Sequence, residues 1–129
     1  MKKIRVITLL LVCLSISASA MASDQTIRSK WLHFDKMKFV FAPAKHGSVY
    51  VHDFAFTNIG RKTINILKVS TGCGCTVVKY TTTPIPQGGK GIIRVIYKSG
   101  TQSKGYFKRF ANILTNREVA RIQIEGITK

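Results

Sequence analysis

A chain of 129 residues with 21 Lys and Arg against five Asp and Glu carries a formal charge of +16. That length supports one domain with a modest core. So few acids leave little room for carboxylate-pair chemistry, and a charge of this sign directs association toward anionic partners.

The chain opens on Lys2, Lys3 and Arg5, followed by an apolar run over residues 6–16 and the small-residue site Ala18-Ser19-Ala20. This is the three-part plan of a secretory signal peptide over residues 1–20. Ala20-Met21-Ala22 is an overlapping cleavage site. A membrane anchor fits less well, because Ser15, Ser17 and Ser19 dilute the run and its strongly apolar part is too short to span. Cys13 follows Val12, not the small residue that precedes a lipid-attachment cysteine, and is read as part of the signal. Cleavage after Ala20 removes three of the 21 basic residues and none of the five acids, leaving +13. The expected location is periplasmic or extracellular. There, nucleic acid is not an expected partner, whereas another exported protein or an anionic glycan such as lipopolysaccharide is.

Residues 21–46 form an N-terminal segment holding the first strand or strands, with Trp31-Leu32-His33-Phe34 and Phe39-Val40-Phe41 as short apolar runs. Residues 47–129 are read as the core of a single domain. Tyr50, His52, Phe54 and Phe56 share one strand face by period-two alternation, and the two phenylalanines make it the core face. Asn58-Ile59-Gly60-Arg61 is a turn signal, with Asn and Gly available for positive φ. A β-branched run over residues 63–69 leads into Cys73-Gly74-Cys75, and residues 75–80 read as another strand.

Pro84, Pro86 and the glycines at 88, 89 and 91 predict a loop. In the next strand Ile93, Val95 and Tyr97 point inward and Arg94 outward. Residues 107–114 are apolar on both faces, so periodicity leaves their facing open. After a turn at residues 115–118, Ala120, Ile122 and Ile124 point inward, and Arg121, Gln123 and Glu125 outward. About seven strands with turn signals every 8 to 12 residues or so predict an all-β sandwich.

Candidate chemistry is sparse. No G-x-S-x-G elbow occurs, and Lys90 is followed by neither Ser/Thr nor a helix, so Gly88-Gly89-Lys90-Gly91 is a turn and not a phosphate loop. No catalytic residue and no cofactor is expected. Cys73 and Cys75 are the informative pair. Two residues apart in an extended strand, their Cα atoms would lie about 6.6 Å apart on the same face. A disulfide between them therefore requires a tight bend, which Gly72 and Gly74 would supply. Three uses stay open: a structural thiol pair or bridge in a glycine-rich bulge, soft-metal binding by Cys73 and Cys75 with His52 the nearest further ligand candidate, or thiol redox chemistry. No C-x-x-C is present to favour the last.

The order Phe54-x-Phe56-Thr57-Asn58-x-Gly60, Cys73-Gly74-Cys75-Thr76, Pro86-x-Gly88 and Thr115-Asn116 resembles the bacterial "domain of unknown function 1573" family over about residues 47–126. The resemblance implies an immunoglobulin-like sandwich of antiparallel strands, of the ASPM–SPD-2–Hydin type, exported and without an assigned activity. It marks Phe54, Phe56, Asn58, Gly60, Cys73, Gly74, Cys75, Thr76 and Asn116 as the structural motif. This chain departs from the family pattern at Gly72, where Ser is usual. The expectation is an exported, non-enzymatic immunoglobulin-like binding or structural module. A small soft-metal or thiol-redox protein and a basic binder of anionic glycan are the alternatives.

Overall fold

The computed structural model describes residues 29–129, so the signal-peptide reading of residues 1–20 lies outside the described residues. Eight strands form two four-stranded sheets. In chain order they are β1 (Leu32–Phe34), β2 (Lys38–Val40), β3 (Val49–Asn58), β4 (Ile66–Thr71), β5 (Thr76–Tyr80), β6 (Lys90–Lys98), β7 (Gly105–Thr115) and β8 (Val119–Thr128). One sheet runs β1-β3-β6-β5 and the other β2-β8-β7-β4. The architecture is the expected immunoglobulin-like sandwich, with one strand more than the count of about seven. One pairing also differs: β2 lies parallel to β8. The chain passes from β1 in the first sheet to β2 in the second over residues 35–37, switching sheets at a corner.

Period-two alternation becomes burial. Tyr50, Phe54 and Phe56 of β3, Ile93, Val95 and Tyr97 of β6, and Ala120, Ile122 and Ile124 of β8 fill the space between the sheets. The facing of β7, open from the sequence, resolves with Phe107, Ala111 and Ile113 inward and Phe110 and Leu114 exposed. Tyr97 and Phe107 stack across the core with centroids 4.2 Å apart, and Tyr50 meets Phe107 edge-on at 5.0 Å. The core reaches further back than residue 47, because Leu32 and Phe34 are buried in it and Phe34 packs on Phe56 at 5.4 Å.

Asn58 and Gly60 do not act as the turn signal predicts. Neither has a positive φ; among described residues only Gly47, Gly88 and Gly105 do. Asn58 is fully buried and ties three segments together. Its Nδ2 donates to the carbonyls of Lys62 and Ile85, each at 2.9 Å, and its Oδ1 accepts from Gly60 N–H at 2.9 Å. Its backbone also pairs with Gly88 and Gly89. Gly60 is there for proximity: a Cβ at this position would overlap the Trp31 indole. Asn116 serves a second, exposed connection, accepting from Asn65 N–H at 3.0 Å.

The N-terminal strand is fastened by Glu118, between β7 and β8. Its carboxylate accepts from the Ser29 hydroxyl and from the backbone N–H groups of Lys30, Trp31 and Leu32. Burial pushes this carboxyl up, but the hydrogen bonds from Ser29 and the three N–H groups outweigh it and hold it below its ordinary value of 4.5.

Two consequences are measurable. Asn58→Ala strips donors from two carbonyls and an acceptor from Gly60, and chemical denaturation should show a loss of about 2–4 kcal/mol. A folded-state value below the unfolded one means that Glu118 stabilises the fold above pH 4.5 and loses that contribution as pH falls through the lowered value. The stability difference between wild type and Glu118→Gln should therefore be largest near pH 7 and shrink below pH 4.5 in pH-resolved thermal melts.

Candidate functional site

β4 ends at Thr71, pairing with Ala111, and the chain then leaves the second sheet and enters the first as β5. The crossing, residues 72–75, is the Cys-Gly-Cys segment. Here the chain bends: Thr76 N–H donates to Cys73 O at 3.2 Å, and the Thr71 hydroxyl is shared between the carbonyls of Cys73 and Thr76, both at 3.1 Å. The bend brings the two Cα atoms to 5.2 Å, and Cys73 and Cys75 form a disulfide. Neither Gly72 nor Gly74 has a positive φ, and a Cβ at either would meet open space. The bend thus comes from the threonine hydrogen bonds and not from glycine dihedrals, and a Ser side chain would fit at position 72.

The sulfurs differ in environment. Cys75 is 5 % exposed, and its Sγ lies 3.5 Å from Arg109 Nε and 3.7 Å from the Thr76 hydroxyl. Cys73 is only partly buried and faces an open cavity of about 470 Å³. Thr71, Gly72 and Thr76 line one side of it; Lys108, Arg109, Phe110, Asn112 and Arg121 line the other, with Gln102 at its end. No lining residue is acidic. Lys108 and Arg121 each sit over the Phe110 ring at 5.3 Å. Arg109 lies over Tyr97 at 5.4 Å and donates to Gln102 Oε1 at 3.2 Å and Lys108 O at 2.9 Å. Among described residues the two ion pairs are Lys38–Glu125 and Arg94–Asp53, so none of the cavity's three cations has a carboxylate partner.

The early end of β4 also uncovers part of β7. Thr115 N–H bonds to Glu118 O and Gly105 N–H to the Thr128 hydroxyl, both toward β8, while Asn116 N–H bonds to Asn65 O on the β4 side. Backbone groups alternate along a strand. The N–H and C=O groups of Tyr106, Lys108 and Phe110 therefore point to the β4 side, where no described strand pairs with them. Lys108 O is covered by its neighbour's guanidinium.

The remaining candidates lie elsewhere. His52 belongs to β3, which is separated from β5 by β6, about 10 Å of sheet. Its ring stacks on Phe39 at 3.6 Å and meets Phe54 edge-on at 4.7 Å, and burial holds its pKa below the ordinary value. The structure does not bring it to the cysteines, and no group of three or more His, Cys, Asp or Glu suited to a metal ion occurs among the described residues. With both sulfurs bonded to each other, neither is a thiolate ligand. Sequence reading passed over Arg109, Lys108 and Arg121. The available signal was the adjacent pair Lys108-Arg109 beside Phe110 on an otherwise apolar strand, with Arg121 outward on the next one.

A ring closed over three residues constrains the unfolded chain little. The loop-entropy relation gives about 1.6 kcal/mol at 25 °C, small for a structural staple. The double variant Cys73→Ser/Cys75→Ser should fold with the same spectrum and lose less than about 2 kcal/mol in denaturant melts.

The sequence profile of the family described as "Protein of unknown function (DUF1573)" matches residues 32–128. No curated protein sequence matches the chain. Among solved structures, a protein of unknown function from Porphyromonas gingivalis W83 superposes with a TM-score of 0.65 at 14% identity, covering 75% of this chain and 46% of that one. The ASH/PapD-like domain 7 of human CEP192 gives 0.63 at 11% identity, covering 88% and 96%. The periplasmic chaperone SfaE gives 0.58 at 12% identity, covering 76% and 58%. At such identities the likeness is one of fold, and this chain spans less than half of the P. gingivalis protein. The profile match begins at β1, not at residue 47, in keeping with the burial of Leu32 and Phe34. Covering both sheets, it makes this chain a member of the DUF1573 family, built on an ASH/PapD-like immunoglobulin fold.

Proposed function

We propose that the chain is an exported, non-enzymatic binding module that takes an extended acidic segment of another exported protein along the open edge of β7. The observation that carries this reading is the uncovered stretch of β7, which at Lys108 and Phe110 borders a basic groove. An extended segment there would continue the line of β4. Strand addition supplies affinity through main-chain hydrogen bonds and specificity through side-chain pockets. Lys108, Arg109 and Arg121 select acidic side chains, and steering adds to the rate of encounter.

The non-enzymatic part is supported by how the acids are used: Asp53 and Glu125 are in ion pairs and Glu118 fastens the N-terminal strand. Export is supported by the signal-peptide pattern of residues 1–20.

A synthetic peptide of alternating glutamate and valine should bind, more weakly as salt rises, and should slow hydrogen exchange at the Lys108 and Phe110 amides. Its lysine–valine counterpart should not bind. Phe110→Pro removes one edge donor without touching the β8 ladder and should abolish binding while the fold persists. Binding of heparin or lipopolysaccharide with no amide protection on β7 would replace the reading with that of an anionic-glycan binder.

A further inference from the structure

We infer that the Cys73–Cys75 disulfide is a thiol-exchange site in which thiols bearing negative charge are captured on Cys73. The inference stands whether or not an extended segment adds to β7, although both would use the same groove. It rests on an asymmetry between the two sulfurs. Cys73 lines the cavity, so an incoming sulfur reaches it from solvent past Lys108 and Arg121. Cys75 does not line the cavity; it is buried, with the Arg109 guanidinium 3.5 Å from its sulfur and the Thr76 hydroxyl 3.7 Å away.

Exchange proceeds by attack of a thiolate on one sulfur with departure of the other, and the better leaving group is the sulfur whose thiolate is stabilised. A neighbouring arginine stabilises a thiolate; Arg109 Nε lies within hydrogen-bond distance of Cys75 Sγ at 3.5 Å, whereas Cys73 Sγ accepts the neutral backbone N–H of Cys75 at 3.1 Å. The thiolate R–S⁻, its proton given to solvent, attacks Cys73 Sγ. The R–S–Sγ bond to Cys73 forms as the Cys73–Cys75 bond breaks, and the electron pair leaves on Cys75 Sγ beside Arg109. The incoming sulfur is oxidised to the disulfide level and Cys75 is reduced, so no further oxidant is needed. The capture is stoichiometric and is reversed by return attack of Cys75. The cavity's cations, none of them paired to a carboxylate among the described residues, favour attackers carrying carboxylate or sulfonate near the thiol.

The test uses the oxidised chain and three thiols of opposed charge: 2-mercaptoethanesulfonate, 2-mercaptoethanol and cysteamine, with rates expressed per thiolate. The anionic thiol should react about tenfold or more faster than the cationic one, and the ratio should fall toward unity in Lys108→Ala/Arg121→Ala and in high salt. Arg109→Gln should slow all three thiols, because it acts on the leaving sulfur and not on the attacker. If that variant does not fold, the exposed double variant and adduct mapping still decide. Acid-quenched samples mapped by mass should carry the adduct on Cys73 with Cys75 free. Adducts on Cys75, or a charge ratio of one in the wild-type chain, would overturn the inference. A cysteine flanked by glutamates in a synthetic peptide, run beside the small sulfonate, separates a protein source of the thiol from a small-molecule one by which reacts faster.

Discussion

The short β4 strand is the constraint from which the site follows. The two sheets share one aromatic and branched core, and the chain must pass between them to fill both. It does so after Thr71, leaving β7 half covered. Every crossing in a sandwich exposes some strand edge, and exposed edges invite pairing. At this one the exposed backbone meets a disulfide, a cavity and three cations. Had β4 run on past Thr71, its next residues would have paired with β7 at Phe110 and Lys108, and the groove would not exist.

Much of the fold was legible because its strongest patterns are local. In β3, β6 and β8 one face is mostly apolar, so period-two reading gives most of the burial directly. β7 resisted that reading because Phe110 and Leu114 are apolar but outside, and an alternation with apolar residues on both faces carries no sign. Asn58 and Gly60 were read through neighbours in sequence, whereas their roles depend on partners far away. Ile85 lies 27 residues beyond Asn58, and the Trp31 ring that excludes a Cβ from Gly60 comes from the N-terminal strand. A turn propensity cannot anticipate either. The short strands β1 and β2 gave too few residues for a period, and the parallel pairing of β2 depends on β8, the last strand in the chain.

The site was half visible. Spacing alone marked Cys73 and Cys75, and strand geometry showed that joining them needs a bend. That Thr71 and Thr76 make the bend required knowing where both sheets end. Arg109 was hidden for a different reason: it occupies an inward position, between Phe107 and Ala111, where a strand pattern leads one to expect a hydrophobe. Its guanidinium is accommodated by the Tyr97 ring, Gln102 and the backbone of Lys108, with its stem along the core. Such a placement breaks the local rule, and positions that break a local rule tend to be functional or strained.

Charge economy ties the cavity to the rest of the molecule. With five acids in the whole chain and three of them committed to Lys38, Arg94 and the N-terminal strand, few carboxylates remain to neutralise the basic surface. Exposed cations on the outer faces cost little, because water and salt screen them. Cations that converge on a concave surface repel one another over shorter distances and through less solvent, so the same excess charge is more costly there. Among the described residues, no carboxylate pairs with the cavity's Lys108, Arg109 or Arg121. A bound anion relieves that repulsion, so negative charge on the partner is the physical requirement shared by the proposed strand addition at β7 and the proposed thiol capture at Cys73.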